Sequence, residues 1–371
     1  MRITFIVNHR NMSGGVRVIA IYAEKLAARG HDVTIVSRPR PVERFRRKVK
    51  MLVTGKGWPE NPNHLPSHFD NLKVPHHIID TRRPIADRDV PDADVVIATW
   101  WETAYWVNDL SRAKGAKAYF VQDFGALDSQ PMDKLAETWN MPMHKIVISS
   151  YIRDLVREHC PADEPLSLVT NSVDLELFSS PPRGRQRTPT VGTMYNVAAF
   201  KGLDTCLKAV ELARRQLPDL KLICFGPHEA SRDYPLPPNA ELLVHLPNER
   251  LKDLYSRCDA WLFGPRKEGY GLPILEAMAC RTPVIATPAG AAPELLEHGG
   301  GALVQHEDSA GMAAAIVRIC SMNDSDWRAM SDKAYATVAG YTWDHATDLF
   351  EAALKTAIER SRGMGVSPMH S

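Results

Sequence analysis

The sequence has no C-x-x-C pair and no long apolar run. Its six cysteines, Cys160, Cys206, Cys224, Cys258, Cys280 and Cys320, are dispersed, most of them in apolar or helical stretches. That usage fits reduced, buried thiols in a cytosolic protein and argues against a disulfide framework or a zinc-thiolate site. No apolar stretch approaches the ~18 residues a spanning helix requires. Met1-Arg2-Ile3-Thr4-Phe5 begins a strand at once, so neither a membrane span nor a signal peptide is expected. Net charge is also nearly absent, since 45 Lys and Arg against 44 Asp and Glu leave +1. Such balance excludes a global pull toward nucleic acid and leaves electrostatic partners to local patches. Asn8 to Gly15 contains no G-x-G-x-x-G, which removes the dinucleotide fingerprint of a nicotinamide-dependent oxidoreductase.

What is present is ordinary globular material: 371 residues, 44% hydrophobic and 24% charged, enough for two domains at roughly 150 residues each. Short apolar runs at Ile3 to Val7, Asp32 to Val36, Asp94 to Ala98, Ala118 to Gln122, Lys145 to Ser149 and Leu166 to Val169 alternate with helical periodicity. A second series begins at Thr190 to Met194, after the proline- and arginine-rich stretch 179–189, and continues through Val284 to Thr287. Alternation of this kind predicts an α/β fold of two Rossmann-like, doubly wound parallel sheets, 1–172 and 173–342, facing across a cleft. The tail 362–371 has glycine, proline and no periodicity, and is expected to be disordered.

One stretch organises the rest: Lys267-Glu268-Gly269-Tyr270-Gly271-Leu272-Pro273-Ile274-Leu275-Glu276-Ala277-Met278. Pro273 suits the first turn of a helix, and Gly269 and Gly271 precede it, where free N–H groups and the positive end of the helix dipole can meet an anion. Two carboxylates beside an anion site would repel a phosphate, so each must address hydroxyls. A nucleoside diphosphate sugar has hydroxyls on either side of its phosphates. The bland alternative makes Glu268 a helix cap and Glu276 a solvated residue. Ser13-Gly14-Gly15 stands between the first strand and helix, equally consistent with phosphate contact and a tight turn. Asp123 follows a strand end and either contacts a hydroxyl or caps a turn.

Arg38, Arg40, Arg44, Arg46, Arg47, Lys48, Lys50 and Lys56 face only Glu43 among acids, with Val42, Phe45, Val49 and Leu52 at helical spacing. Segment 38–56 is therefore either a basic amphipathic helix for an anionic membrane surface or a packed helix with a solvated face. His64 and His68 have i, i+4 spacing, but Pro62 and Pro66 break the helix a metal site would need. Asp92-Ala93-Asp94 and Asp324-Ser325-Asp326 match a metal-binding pattern of another sugar-transferase class and are read as structural.

Ser13-Gly14-Gly15, Arg29-Gly30-His31-Asp32-Val33, Asn171-Ser172-Val173-Asp174, Lys201-Gly202, the Glu268 to Glu276 motif and Thr282-Pro283-Val284-Ile285-Ala286-Thr287 occur in the order seen in glycosyltransferase family four. The chain resembles these retaining GT-B enzymes over nearly its whole length. The resemblance implies a nucleotide-sugar donor on the C-terminal domain, a glycan or lipid-linked acceptor on the N-terminal one, and a last helix, 343–361, crossing back. It implies Glu268 on donor-sugar hydroxyls, Glu276 on the ribose, Gly271 and Leu272 N–H groups on phosphate, Lys201 on the diphosphate, and Gly14 and Gly15 closing over the donor. Lys201, Glu268 and Asp123 are the expected catalytic residues. Thr193, Asn196, Gly269 and Tyr270 complete the donor set, and no metal or other cofactor is expected. The family's usual arginine ahead of Lys-Gly is missing from Gly192-Thr193-Met194-Tyr195-Asn196, so Arg266 or Lys267 is expected to replace it, or else the fold binds without turnover. Glu276→Ala is expected to weaken donor binding roughly ten- to hundred-fold without loss of fold.

Overall fold

Apolar runs too short for helices become strands, and a strand buried on both faces reads as continuous Val, Ile and Phe. In the computed structural model, residues 1–42, 45–55, 57–58, 61–122, 131–161 and 164–363 are described. The first unit holds strands β1 (Arg2–Val7), β2 (Asp32–Ser37), β3 (His76–Ile78), β4 (Val95–Ala98), β5 (Ala116–Val121), β6 (His144–Val147) and β7 (Leu166–Leu168). Its helices are α1 (Gly14–Ala28), α2 (Phe45–Val53), α3 (Trp101–Asp109), α4 (Met132–Trp139) and α5 (Ser150–Arg157). The second unit holds β8 (Thr190–Met194), β9 (Lys221–Gly226), β10 (Glu241–Val244), β11 (Ala260–Phe263), β12 (Val284–Ala286) and β13 (Gly301–Leu303). Its helices are α6 (Leu203–Ala213), α7 (Asn248–Ser256), α8 (Leu272–Ala279), α9 (Ala292–Leu296), α10 (Ser309–Cys320) and α11 (Asp324–Val338), followed by α12 (Trp343–Gly363).

Both sheets are parallel, in the orders β3-β2-β1-β4-β5-β6-β7 and β10-β9-β8-β11-β12-β13. Strand order therefore reverses between β1 and β4, and again between β8 and β11. A crevice opens at the carboxyl ends of the strands at such points, and the Gly14-Gly15 turn follows β1 while the Glu268 motif follows β11. The strands β3, His-His-Ile, and β13, Gly-Ala-Leu, escaped the sequence because neither forms the run of large apolar residues by which the others were read.

α12 leaves the second unit and lies on α1 and β5 of the first. Phe350, fully buried, stacks on Tyr22 at 4.3 Å and meets Phe120 edge-on at 5.1 Å. Lys25 pairs with Asp344 at 2.6 Å and Arg29 with Asp348 at 2.7 Å. The helix runs to Gly363, past the expected 361, and 364–371 of the proposed tail lie outside the described residues.

The basic segment divides. Arg38 and Arg40, counted above with the membrane face, are only 7% exposed. Arg38 donates to Asn8 Oδ1 at 2.7 Å and Glu102 Oε2 at 2.8 Å, and stacks on Trp106. Arg40 donates to the carbonyls of Arg10, Pro62 and Pro66. Arg40 organises the loops around it, because a fork of N–H donors can satisfy several carbonyls at once, and Arg38 is a buried cation held by side chains. α2 itself buries no residue and exposes Phe45, Leu52 and Val53; Glu43, Arg44 and Lys56 lie outside the described residues. Of the acidic pairs, Asp92 meets Lys114 and Asp94 meets Arg2, while Asp324 accepts from Arg328 and the Arg185 N–H.

Truncating Phe350 to alanine empties the aromatic stack that seats α12, and large-to-small changes of a buried Phe cost about 3–5 kcal/mol. Urea unfolding of Phe350→Ala should show a loss of that size; a loss under about 1 kcal/mol would mean that α12 is held by its ion pairs instead.

Candidate active site

A helix that is apolar all round must be buried, and α8 is: Ile274, Leu275, Ala277, Met278 and Ala279 are fully enclosed. Its N-cap, Gly271, has φ 99°, and a Cβ there would meet Phe263 Cζ at 2.8 Å. Glycine is thus required to turn the chain from β11 into α8. Gly269 lines the cleft and has a further reason to be glycine. A Cβ on it would lie 2.4 Å from the Gln122 carbonyl oxygen, and its own carbonyl accepts from Ser149 Oγ at 3.0 Å. It is one place where the second unit touches the first.

Glu276 is the one charged residue of α8 and is 4% exposed. A buried carboxylate needs partners, and it has two: Arg17 Nη1, from α1 of the first unit, donates to Oε1 at 2.8 Å, and Tyr255 Oη, from α7, donates to Oε2 at 2.8 Å. The solvated-face reading of Glu276 is thereby excluded. Glu276→Ala would take the acceptor from the Tyr255 hydroxyl and the Arg17 guanidinium, so a stability cost of about 1–3 kcal/mol is expected beside the weaker donor binding. Burial, then the Glu276 charge, holds the Tyr255 hydroxyl protonated.

Glu268 does not cap α8. Its Oε2 accepts from Lys201 Nζ at 2.7 Å and its Oε1 from the Gly269 N–H. Lys201 closes a short turn after β8, with its ammonium 5.1 Å over the Phe200 ring.

These groups line a cleft of about 680 Å³ between the two units, within the ordinary range of small-molecule sites. Gly14, Gly15, Arg17, His9, His68 and Gln122 line it from the first unit, and Lys201, Glu268, Gly269, Tyr270, Gly271, Leu272 and Glu276 from the second. The cationic lysine and arginine side chains among the described lining residues are Arg17 and Lys201, and the carboxylates are Glu268 and Glu276. Burial, then Arg82, Arg38 and Arg40, lowers His9 to about 4, and burial followed by Arg17 lowers His68. Helix α1 is capped by Ser13, whose hydroxyl accepts from the Val16 N–H. The N–H groups of Gly14 and Gly15 sit in its first turn, without intrahelical acceptors. A larger hollow of about 1230 Å³ lies at the amino ends of β8, β9 and β10, but no motif residue reaches it.

Several expected donor residues are not brought to this cleft. Thr193 is 3% exposed and donates to the Leu262 carbonyl, tying β8 to β11. Asn196 accepts from the Ala198 N–H and shapes the turn before Lys201. Arg266 turns away to Asp204 and Glu307, so its charge is already matched, and Lys267 is exposed and off the cleft wall. Asp123 lies outside the described residues. Conversely, sequence reasoning missed Arg17 and Tyr255. A valine-flanked arginine in an ordinary helix gives no local signal, and only burial of Glu276 could have demanded one.

Residues 186–322 match the family described as Glycosyl transferases group 1, and residues 12–177 the one described as Glycosyltransferase Family 4. A D-inositol 3-phosphate glycosyltransferase of Corynebacterium kroppenstedtii is 30% identical over 176 residues, 42% of this chain and 39% of the relative. The chain spans about half the length of the curated relatives it matches. Among solved structures, Anabaena HepE in complex with UDP and glucose superposes with TM-score 0.73 at 16% identity, covering 96% of this chain and 100% of the other. Sucrose-phosphate synthase from Thermosynechococcus elongatus gives 0.69 at 18% identity, covering 99% and 100%. The likeness to these structures is one of fold, the GT-B arrangement of two facing parallel sheets. Two family matches that between them run from residue 12 to residue 322, carried on that pair of sheets, make this chain a member of the group 1 glycosyltransferases of family four.

Proposed function

We propose that the protein transfers a hexosyl or deoxyhexosyl group from a nucleoside diphosphate sugar to a hydroxyl of a cell-surface glycan or lipid-linked acceptor, with retention and without metal. The observation that carries this reading is the meeting, at both strand-order reversals, of Lys201, Glu268 and the first turns of α1 and α8 in one cleft. On this reading Glu268 grips the donor sugar and Glu276 the ribose. Lys201 and the N–H groups of Gly271 and Leu272 take the diphosphate, while Gly14 and Gly15 cover it. Same-face attack within an ion pair needs no second carboxylate, and negative charge developing on the leaving diphosphate is met by a lysine and two helix N-termini. The relatives named for inositol phosphate and the neighbour crystallised with UDP and glucose support the substrate class. A GT-B protein that binds donor without turnover is the second reading, favoured by the commitment of Arg266 to Asp204 and Glu307.

The protein is further proposed to work in the cytoplasm, at the inner face of the membrane. The side chains of Phe45, Leu52, Val53 and Trp58 are exposed beside Arg46, Lys48 and Lys50, and basic residues near an anionic leaflet contribute about 1 kcal/mol each. No helix among the described residues is long and apolar enough to cross a membrane.

Purified protein given UDP- and GDP-hexoses with a panel of lipid-linked and glycan acceptors should release free nucleoside diphosphate, with chelator present. Lys201→Ala should slow that release by roughly 10²- to 10³-fold, the cost of removing one transition-state charge contact. Donor binding without release on any acceptor would favour the second reading. In sedimentation with vesicles, the protein should bind those containing anionic lipid, less so as salt rises, and Phe45→Ser with Leu52→Ser should weaken the binding; equal failure on anionic and neutral vesicles at low salt would reject the membrane contact.

A further inference from the structure

A nucleoside diphosphate brings more than one negative charge, and the donor reading, on which this inference rests, gives it a single side-chain cation. The arginine that usually precedes Lys-Gly is absent, Arg266 is locked to Asp204 and Glu307, and Lys267 is off the cleft wall. Arg17 remains. It lies one turn into α1, two residues beyond Gly15, and lines the same cleft as Lys201. Its guanidinium sits 5.6 Å from the Phe178 ring centroid, a placement that leaves the edge of the fork for hydrogen bonds.

We infer that Arg17 is the second cation for the donor diphosphate, supplied by the first unit, and that donor binding proceeds by exchange of ion-pair partners. In the described structure each cation holds one carboxylate: Lys201 with Glu268 at 2.7 Å, Arg17 with Glu276 at 2.8 Å. The carboxylates so held are the two assigned to hydroxyls, and the cations holding them are the two free to meet phosphate. A sugar nucleotide offers the complement of all four. Its hexose and ribose hydroxyls donate to Glu268 and Glu276, and its phosphate oxygens accept from Lys201 and from the planar fork of Arg17, which suits a phosphate bidentately. No group is left buried without a partner at either end of the exchange.

The rival reading makes Arg17 a latch that only neutralises Glu276. Nucleoside and nucleoside diphosphate separate the two, because only the second carries the charge Arg17 is said to meet. Calorimetry on the intact chain would use uridine with UDP, guanosine with GDP and adenosine with ADP. For the base that the wild type binds, Arg17→Ala should weaken the diphosphate roughly tenfold or more, the usual worth of a charged hydrogen bond. It should leave the nucleoside unchanged or tighter, since Glu276 is released. Arg17→Lys, which keeps charge and loses the fork, should fall between. If Arg17→Ala does not fold, the comparison moves to Glu276→Gln against Glu276→Gln with Arg17→Ala, where no buried carboxylate is stranded, and the same selective loss of diphosphate affinity is expected. Equal changes for nucleoside and diphosphate, or a tighter diphosphate, would overturn the inference and leave Arg17 a latch. Failure of the wild type to bind any diphosphate would overturn the donor reading itself and this inference with it.

Discussion

The buried carboxylate of Glu276 is the constraint on which the cleft depends. α8 is packed into the second unit, so its one charge is left only 4% exposed at the cleft wall. Desolvating a carboxylate costs several kcal/mol, and removing one partner of a buried pair typically costs about 3–5. Tyr255 supplies a partner from within the unit, and Arg17 supplies the other from across the cleft. The closed apposition of the two sheets is therefore part of how Glu276 is tolerated at all. Gly269, with the Gln122 carbonyl and the Ser149 hydroxyl against it, and the return of α12 onto α1 fix the same apposition from two other places.

A second pair, Lys201 with Glu268, lies in the same cleft but within the second unit. Its side chains are each 19% exposed, so solvent screens it more than the Arg17–Glu276 pair, where the carboxylate is 5% exposed. The weaker pair is easier to exchange for a ligand. On the donor reading this gives an order to binding: the sugar and diphosphate meet Lys201 and Glu268 with little cost, while the nucleoside end must draw Arg17 from Glu276. Arg266 shows the opposite design, with two carboxylates on one guanidinium, which fixes the loop ahead of the motif and leaves no charge to spend on a ligand.

Most of the fold was legible because parallel strands buried on both faces announce themselves as apolar runs between periodic helices. The strands of both sheets were readable in this way except β3 and β13, whose His-His-Ile and Gly-Ala-Leu are not runs of large apolar residues. The motif residues Glu268 and Glu276 were also legible, since glycines followed by a proline mark the turn into a helix; Lys201, 67 residues before Glu268, was reached only through the resemblance to glycosyltransferase family four. Pairing across the cleft was not legible. Arg17 and Glu276 are 259 residues apart, and nothing local in α1 distinguishes Arg17 from a surface arginine. Charge counting failed for a related reason: Arg38, Arg40 and Arg266 look free in the sequence, yet the fold brings carbonyls or carboxylates to each. Gly269 was read for an anion; that it is also needed for backbone approach between units shows only in the position of Gln122.

The central claim is that the cleft's two cations rest on its two carboxylates and that a sugar nucleotide exchanges them. Its most direct test is a crystal structure of the intact chain with the nucleoside diphosphate it binds best. The account predicts Lys201 Nζ and the Arg17 guanidinium on phosphate oxygens, with Glu276 accepting from the ribose. A diphosphate seated in the cleft with the Lys201–Glu268 and Arg17–Glu276 pairs both intact would contradict it.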